Sequence, residues 1–240
     1  MTLLLQCDMS QAELRCQAAF SGDPWLIGAL QEDSGDFFDT HMMPVCFPGV
    51  DMSTIDAVER KEMRVKVKAV MYGLSFSRGA AAIAASLKIP VRDAQAIIDN
   101  LAAVAPIWWN WRELIKEAAV NEDKRDLLTN PFGRRYQREV ISSKNMNEVQ
   151  REALSFLPQS TASDICLMTG ILVHKPIKQL GGHIVALVHD AILAEVPEDN
   201  AEQIGKLISN TFRSVAKDVI GDAVPMLSEY SYGKSWGDLK

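Results

Sequence analysis

Residues 64–76 read RVKVKAVMYGLSF, and the fold turns on how this stretch is understood. Arg64, Lys68, Tyr72 and Phe76 recur every four residues, so on a helix they form one stripe about 18 Å long at about 1.5 Å rise per residue. Two cations lead and two aromatics follow. Such a stripe has the dimensions and chemistry of a nucleoside triphosphate lying along a helix. Charge-assisted hydrogen bonds would meet phosphates at one end, and aromatic rings would meet sugar and base at the other. An amphipathic helix with a solvated basic edge has the same spacing, so the stripe alone leaves both readings open.

The surrounding sequence adds to it. RxxxKxxxYGxxF is followed by SRG (77–79), the helical AAAIAASLKIP (80–90) and RDAQ (92–95), while DMSQAELR (8–15) stands near the start and VHDA (188–191) near the end. The central pattern resembles the fingers helix of family A DNA polymerases, the group of bacterial DNA polymerase I, where it reads RxxxKxxxFxxxYG. The other two motifs follow in the family's order, and the three together span almost the whole chain. The fold this resemblance implies is α+β: an antiparallel palm sheet assembled from both ends of the chain (1–18 and 147–240), with an inserted helical fingers subdomain (19–146).

At 240 residues, 48% hydrophobic and 23% charged, the composition is that of an ordinary globular protein able to bury a core. The net charge of −6 argues against a uniformly basic nucleic-acid coat, so DNA contact would rest on local clusters such as Arg60 to Lys68 and Lys124 to Arg151. Cys7, Cys16, Cys46 and Cys166 have neither CxxC nor metal-ligand spacing, which suits reduced thiols. The opening MTLLLQCDM lacks a basic leader and a cleavage site, and nowhere do eighteen apolar residues run uninterrupted. The expectation is a cytoplasmic protein without a membrane partner, in a host cytoplasm if the source is a phage.

Thr2 to Cys7 reads as a buried strand that delivers Asp8 at its end, a costly carboxylate unless paired or bound to metal. SQAELR starts a helix, with Ser10 the expected N-cap. The resemblance implies that Asp8 binds two magnesium ions and that Gln11 and Glu13 line the nucleotide site, Glu13 where a ribose 2′-hydroxyl would sit. Short helical signals run from Asp23 to Phe47, and His41 falls in a DTH that resembles the family's triphosphate-contacting histidine. Ser53 and Asp56 mark the next helix start. Tyr72 stands where many bacterial relatives have phenylalanine, Phe76 where they have tyrosine, and Ser77 replaces glycine. Tyrosine at the first position occurs in some phage-type members and implies ready acceptance of dideoxynucleotides.

Trp108, Trp109 and Trp111 open another helix; close-packed tryptophans suit core or interface, and stacking on single-stranded template is the alternative. LLTNPFGRRYQREV reads as a turn at Asn130 to Gly133 between extended segments, with Arg134, Arg135 and Arg138 as a basic edge, either solvated or set against backbone phosphates. Arg151, Ser155 and Gln159 form an i+4 ladder where relatives carry Arg, Asn and Gln for minor-groove contact near the primer end. Such contacts test shape without reading sequence. In GGHIVALVHDAILAEV a strand pair meets at His189-Asp190, an unusual hairpin tip. The resemblance makes Asp190 the second magnesium carboxylate and His189 its neighbour at the primer terminus. Ala191 replaces the usual glutamate.

On this reading Asp8 and Asp190 meet in space and hold two magnesium ions about 4 Å apart, and Lys68 donates a proton to pyrophosphate. The substrates implied are primer-template DNA and dNTPs. With seven residues before Asp8, the chain is expected to lack thumb and exonuclease parts: either a second polypeptide supplies thumb and N-terminal palm, or the chain is a fragment that cannot work alone, and a split enzyme is expected to show an open sheet edge with an apolar patch. A non-catalytic subunit that binds primer-template or a partner chain is the alternative, favoured by Ala191, Ser155 and Ser77. An unrelated helical scaffold survives only if the three motifs coincide by chance.

Overall fold

The structure, a computed structural model, describes residues 1–31, 35–137 and 141–239. Arg138 of the expected basic edge lies outside them. Along the chain the elements are β1 (Thr2–Met9), α1 (Ala12–Ser21), α2 (Pro24–Ala29), a π-helical segment (Phe37–Met42), α3 (Met43–Cys46), α4 (Ala57–Ser75), α5 (Ala80–Leu87), α6 (Val91–Val104), α7 (Pro106–Val120), a 3₁₀ segment (Glu122–Leu128), α8 (Met146–Gln179), β2 (His183–Val188), β3 (Ala191–Pro197), α9 (Ala201–Ile220) and β4 (Ser228–Gly233). The architecture is α+β with one four-stranded antiparallel sheet, in the order β2-β3-β1-β4. The chain forms two compact units: Met1–Ala19, Asn130–Arg134 and Pro158–Lys240 make the first, Phe20–Thr129 and Arg135–Leu157 the second.

In the first unit β1 alternates as a half-buried strand should: Leu3, Leu5, Cys7 and Met9 are buried, and Asp8 between them is exposed. Amphipathic α9 packs against β1, β3 and β4, burying Ile204, Ile208 and Phe212. The helix after β1 starts later than the Ser10 signal implies. Gln11 takes a left-handed φ of 52°, its carbonyl accepts from Arg15 N, and regular helix begins at Ala12. Arg15 accounts for the difference. Its buried guanidinium donates to the carbonyls of Ser10 (2.8 Å) and Pro225 (2.7 Å) and to Gln11 Oε1 (3.4 Å), clamping the turn that follows Asp8.

The Asn130 to Gly133 turn is present as expected. Buried Asn130 accepts from the N–H groups of Phe132 and Arg134 and donates to Asp164 and Ser160 on α8. Helix α8 has the length and composition of a membrane span, but most of its apolar window is buried inside the protein, as in a core helix. Its outer face nevertheless exposes Leu167, Met168, Ile171 and Leu172, and the outer strand β2 exposes Val185 and Leu187.

The second unit is helical. Asp56 caps α4 as anticipated, accepting from Val58 N and Glu59 N. Trp108 is fully buried, and Arg112 lies over both its ring and that of Trp109, at 4.9 and 4.3 Å from the centroids. Trp111 stacks towards Phe20, so the tryptophans serve the core and its border. Buried Arg112 also donates to the Leu74 carbonyl at the end of α4 (2.7 Å), and burial pushes its pKa down to about 10. The four cysteines are free and buried, and burial pushes each thiol up to about 12.

One buried carboxylate joins two helix starts in this unit. Asp23 Oδ1 accepts from Trp25 N (3.0 Å) and Leu26 N (3.1 Å) at α2, and Oδ2 accepts from Ile107 N and Trp108 N (3.0 Å each) at α7. Four orphan donors and two helix dipoles therefore depend on one side chain. Asp23→Ala is expected to lower the free energy of unfolding by about 2–4 kcal/mol and Asp23→Asn by less, measured by urea denaturation. A loss below about 0.5 kcal/mol for the alanine variant would contradict this double-cap role.

Candidate functional site

Antiparallel register builds the acidic centre in the first unit. Asp8, at the end of β1, stands opposite Ala191 on β3 and Glu229 on β4. Asp190 is in the two-residue connection between β2 and β3, and its carbonyl accepts from Met9 N (3.2 Å). The connection turns through His189 at a φ of 57°, a left-handed conformation that a non-glycine residue adopts at some cost. The hairpin tip is thereby folded back on the end of β1. Asp8 and Asp190 carboxyl groups come within hydrogen-bonding reach, although about three quarters of the chain separates them in sequence.

Two acids this close cannot both stay charged at ordinary carboxylate pH. Asp8 keeps part of its surface in solvent, yet partial desolvation first, then the Asp190 charge and hydrogen bond, then Glu229, push its carboxyl up from 3.8 to about 6. Glu13, in the first turn of α1, also shifts upward: burial raises it, a hydrogen bond from Gln159 opposes, and the Asp190 charge adds. Glu13, Gln159, Ala162, Ser163, His189 and Asp190 line a cleft of about 620 Å³. Exposed His189 borders that cleft without a carboxylate's charge of its own.

The donor set suits a hard divalent cation. No group of three or more His, Cys, Asp or Glu side chains converges among the described residues. A pair of facing carboxylates is the chemistry by which Mg²⁺ is commonly held, one or two protein oxygens with water and substrate phosphates completing the shell. The raised Asp8 pKa reflects burial first and the facing Asp190 charge second, and a bound cation would offset both.

The stripe belongs to the second unit. Arg64, Lys68 and Tyr72 share a face of α4, and Phe76 is the residue just past its last turn, where its N–H donates to the Tyr72 carbonyl (3.1 Å). Lys68, Tyr72, Gly73, Phe76 and Arg78 line a cleft of about 300 Å³. Ser77 follows at a φ of 62°, the conformation for which the family's glycine is suited. His41, half-buried, sits in the π-helical segment. That segment also packs on the stripe: Arg64 and Lys68 lie 5.6 and 5.2 Å from the Phe38 ring centroid, and the Tyr72 ring lies 5.9 Å from it.

The expected DNA-contact residues have varied fates. Arg134 is bound to Asp164 through Nε and Nη2, so its charge already has a partner. Arg135 is exposed at a bridge with Thr129. Arg151 is exposed on α8, whereas the Ser155 hydroxyl turns back to the carbonyls of Arg151 and Glu152 in its own helix. Gln159 is engaged by Glu13. Gln11 Oε1 accepts from Arg15. Sequence reasoning passed over Arg15, Glu229, Asp36 and Phe38; their roles come from partners far away in the chain, which no local spacing announces.

The sheet brings two aspartates together, one at a strand end and one at a hairpin tip. The sequence profile of DNA polymerase family A matches residues 1–238, and the chain belongs to that family. It is 30% identical to a DNA polymerase I of Chloroflexus aurantiacus over 97% of this chain and 24% of that protein. It is 29% identical to the thermostable DNA polymerase I of Thermus aquaticus (99% and 27%) and 27% identical to DNA polymerase theta of Caenorhabditis elegans (99% and 14%). Among solved structures it matches the POL domain of Pol1 from M. smegmatis in complex with DNA primer-template and dNTP, with a TM-score of 0.81 and 25% identity over 98% of this chain and 40% of that one. The chain thus spans about a quarter or less of the length of these curated relatives.

The carboxylate pair generates a pH dependence. Asp8 is raised in the folded state, so its contribution to stability is full below about pH 4 and is lost as pH climbs through about 6. In metal-free buffer the wild-type Tm should therefore fall over that interval more steeply than the Tm of Asp190→Asn, which lacks the facing charge. Added Mg²⁺ should restore the wild type more at pH 7.5 than at pH 4.5. Parallel pH profiles for the two proteins would contradict the coupling.

Proposed function

We propose that this chain is the catalytic portion of a template-directed DNA polymerase, transferring a nucleotidyl group from a dNTP to a primer 3′-hydroxyl. The observation that carries the reading is the meeting of Asp8 and Asp190 at the sheet. Family membership supports it, as do relatives named DNA polymerase I and DNA polymerase theta and a structural neighbour described with primer-template and dNTP.

In this reading the 3′-oxygen attacks the α-phosphorus, the bond to the β-phosphate oxygen breaks, and pyrophosphate leaves. Asp8 and Asp190 would hold magnesium ions. When bound, these supply the positive charge that favours a deprotonated 3′-hydroxyl and stabilises the departing pyrophosphate. Arg64 and Lys68 would neutralise the phosphates, and Lys68 would give pyrophosphate a proton. Tyr72 and Phe76 receive sugar and base. Glu13, steadied by the Gln159 amide, presents a carboxyl to the cleft where a ribose 2′-hydroxyl would arrive, so deoxynucleotides are favoured. Arg135, Arg151 and His189 remain exposed for primer-template contact.

The test is magnesium-dependent extension of a primed template by the purified chain. Wild type is expected to extend the primer, and Asp190→Asn to be slower by roughly 100-fold or more. Equal rates would remove Asp190 from the chemistry. A second expectation concerns the sugar: the natural protein should incorporate dideoxynucleotides readily, and Tyr72→Phe should discriminate against them. Equal discrimination by both proteins, in a competition of ddNTP with dNTP, would remove the Tyr72 hydroxyl from sugar selection.

A further inference from the structure

We propose that the π-helical segment is a built-in counter-surface for the phosphate-binding cations: Phe38 poises Arg64 and Lys68, and Asp36 is an internal anion on Arg64 that an incoming polyphosphate displaces. The proposal rests on the triphosphate reading of the α4 stripe and assigns roles to two residues outside it.

The geometry at Arg64 is that of an occupied phosphate fork. Asp36 Oδ1 accepts from Arg64 Nε (3.2 Å) and Oδ2 accepts from Nη2 (2.6 Å), the paired contacts that a planar guanidinium offers to carboxylate or phosphate alike. Asp36 does not reach Arg64 by chance rotation of a loose side chain. Its Oδ1 also accepts from Asp39 N (2.9 Å), capping the π-helical segment and fixing the carboxylate. One turn earlier on α4, Arg60 Nε donates to Asp39 Oδ2 (2.8 Å), so two acids of the segment match two arginines four apart on the helix. The hydrogen bonds from Arg64 and Asp39 outweigh burial and hold the Asp36 carboxyl below the usual carboxylate range, so it stays anionic in neutral buffer.

Phe38 supplies the second half. It is 1% exposed, locked in the core, and its ring lies under both cations. Arg and Lys side chains lose much rotamer freedom when a ligand orders them. A ring that already attracts both heads lowers that cost and sets the distance between them. Among the described residues Lys68 has no ion pair, so the ring rather than a carboxylate holds it. A π-helical turn at this place fits, since such turns are frequent at functional sites.

The pair must be weak enough to exchange. Arg64 and Asp36 side chains are each about a third exposed (35% and 37%), and ion pairs at that exposure contribute little. A polyphosphate brings several negative charges to Arg64 and Lys68 together, whereas Asp36 brings one to Arg64 alone. The polyphosphate wins, and Asp36 acts as a small, constant competitor at Arg64.

The experiment is titration calorimetry of the full chain with inorganic tripolyphosphate and with dATP, in magnesium-free buffer at low ionic strength, with Arg64→Ala as reference. The expected result is that Asp36→Asn binds tripolyphosphate about threefold more tightly than wild type. Phe38→Leu should bind several-fold more weakly, and Phe38→Trp, which keeps an aromatic face, should stay near wild type. Asp36 is exposed, so its variant reports even where a Phe38 variant fails to fold. If Arg64→Ala abolishes binding while Asp36→Asn binds no better than wild type, the counter-surface is refuted and the triphosphate reading of the stripe stands. If wild type does not bind, or Arg64→Ala binds as wild type does, the triphosphate reading falls and the counter-surface with it.

Discussion

Repulsion between the Asp8 and Asp190 carboxylates is the constraint on which the rest of the first unit depends. Two acids at hydrogen-bonding distance would move apart unless the backbone held them. Here β1 pairs with β3 from Thr2 to Asp8, the β2–β3 tip returns its carbonyl to Met9 N, and His189 accepts a left-handed backbone to make that return. Buried Arg15 locks the turn on the other side of Asp8 by reaching the Pro225 carbonyl before β4. Of these features only the left-handed His189 is costly by itself. Together they keep an unfavourable charge pair in place, which is the arrangement a divalent cation rewards.

The second unit works with the opposite sign of charge. Its α4 presents cations, and two buried side chains tie distant parts of the same unit together: Arg112 Nη2 donates to the Leu74 carbonyl at the α4 end, and Asp23 joins the starts of α2 and α7. A helix held at its end by a buried arginine and along its face by Phe38 is a firm base for long, flexible side chains. The net charge of −6 conceals this division between an acidic sheet and a basic helix face.

Much of this was legible in the sequence because it is written locally. An apolar run ending at Asp8, two apolar runs around His189-Asp190, a cap at Asp56 and an i+4 stripe each declare themselves within a few residues, and each element stands close to where those signals put it. What could not be read depends on partners distant in sequence. Ser10 is a good N-cap by type, but Arg15 holds the Ser10 carbonyl and the helix begins after Gln11 instead. Arg134 reads as a phosphate ligand until Asp164, thirty residues on, takes its guanidinium. Ser155 reads as a shortened base contact until its hydroxyl bonds its own helix. Asp36 carries no signal at all, since its meaning is Arg64.

The central claim is that Asp8 and Asp190 together form a divalent-cation centre. Titration of the chain with Mn²⁺, following the electron paramagnetic resonance signal of the free ion, tests it without any requirement for activity. The account predicts that wild type takes up Mn²⁺ and that Asp8→Asn and Asp190→Asn each abolish that uptake. Equal uptake by all three proteins would contradict it.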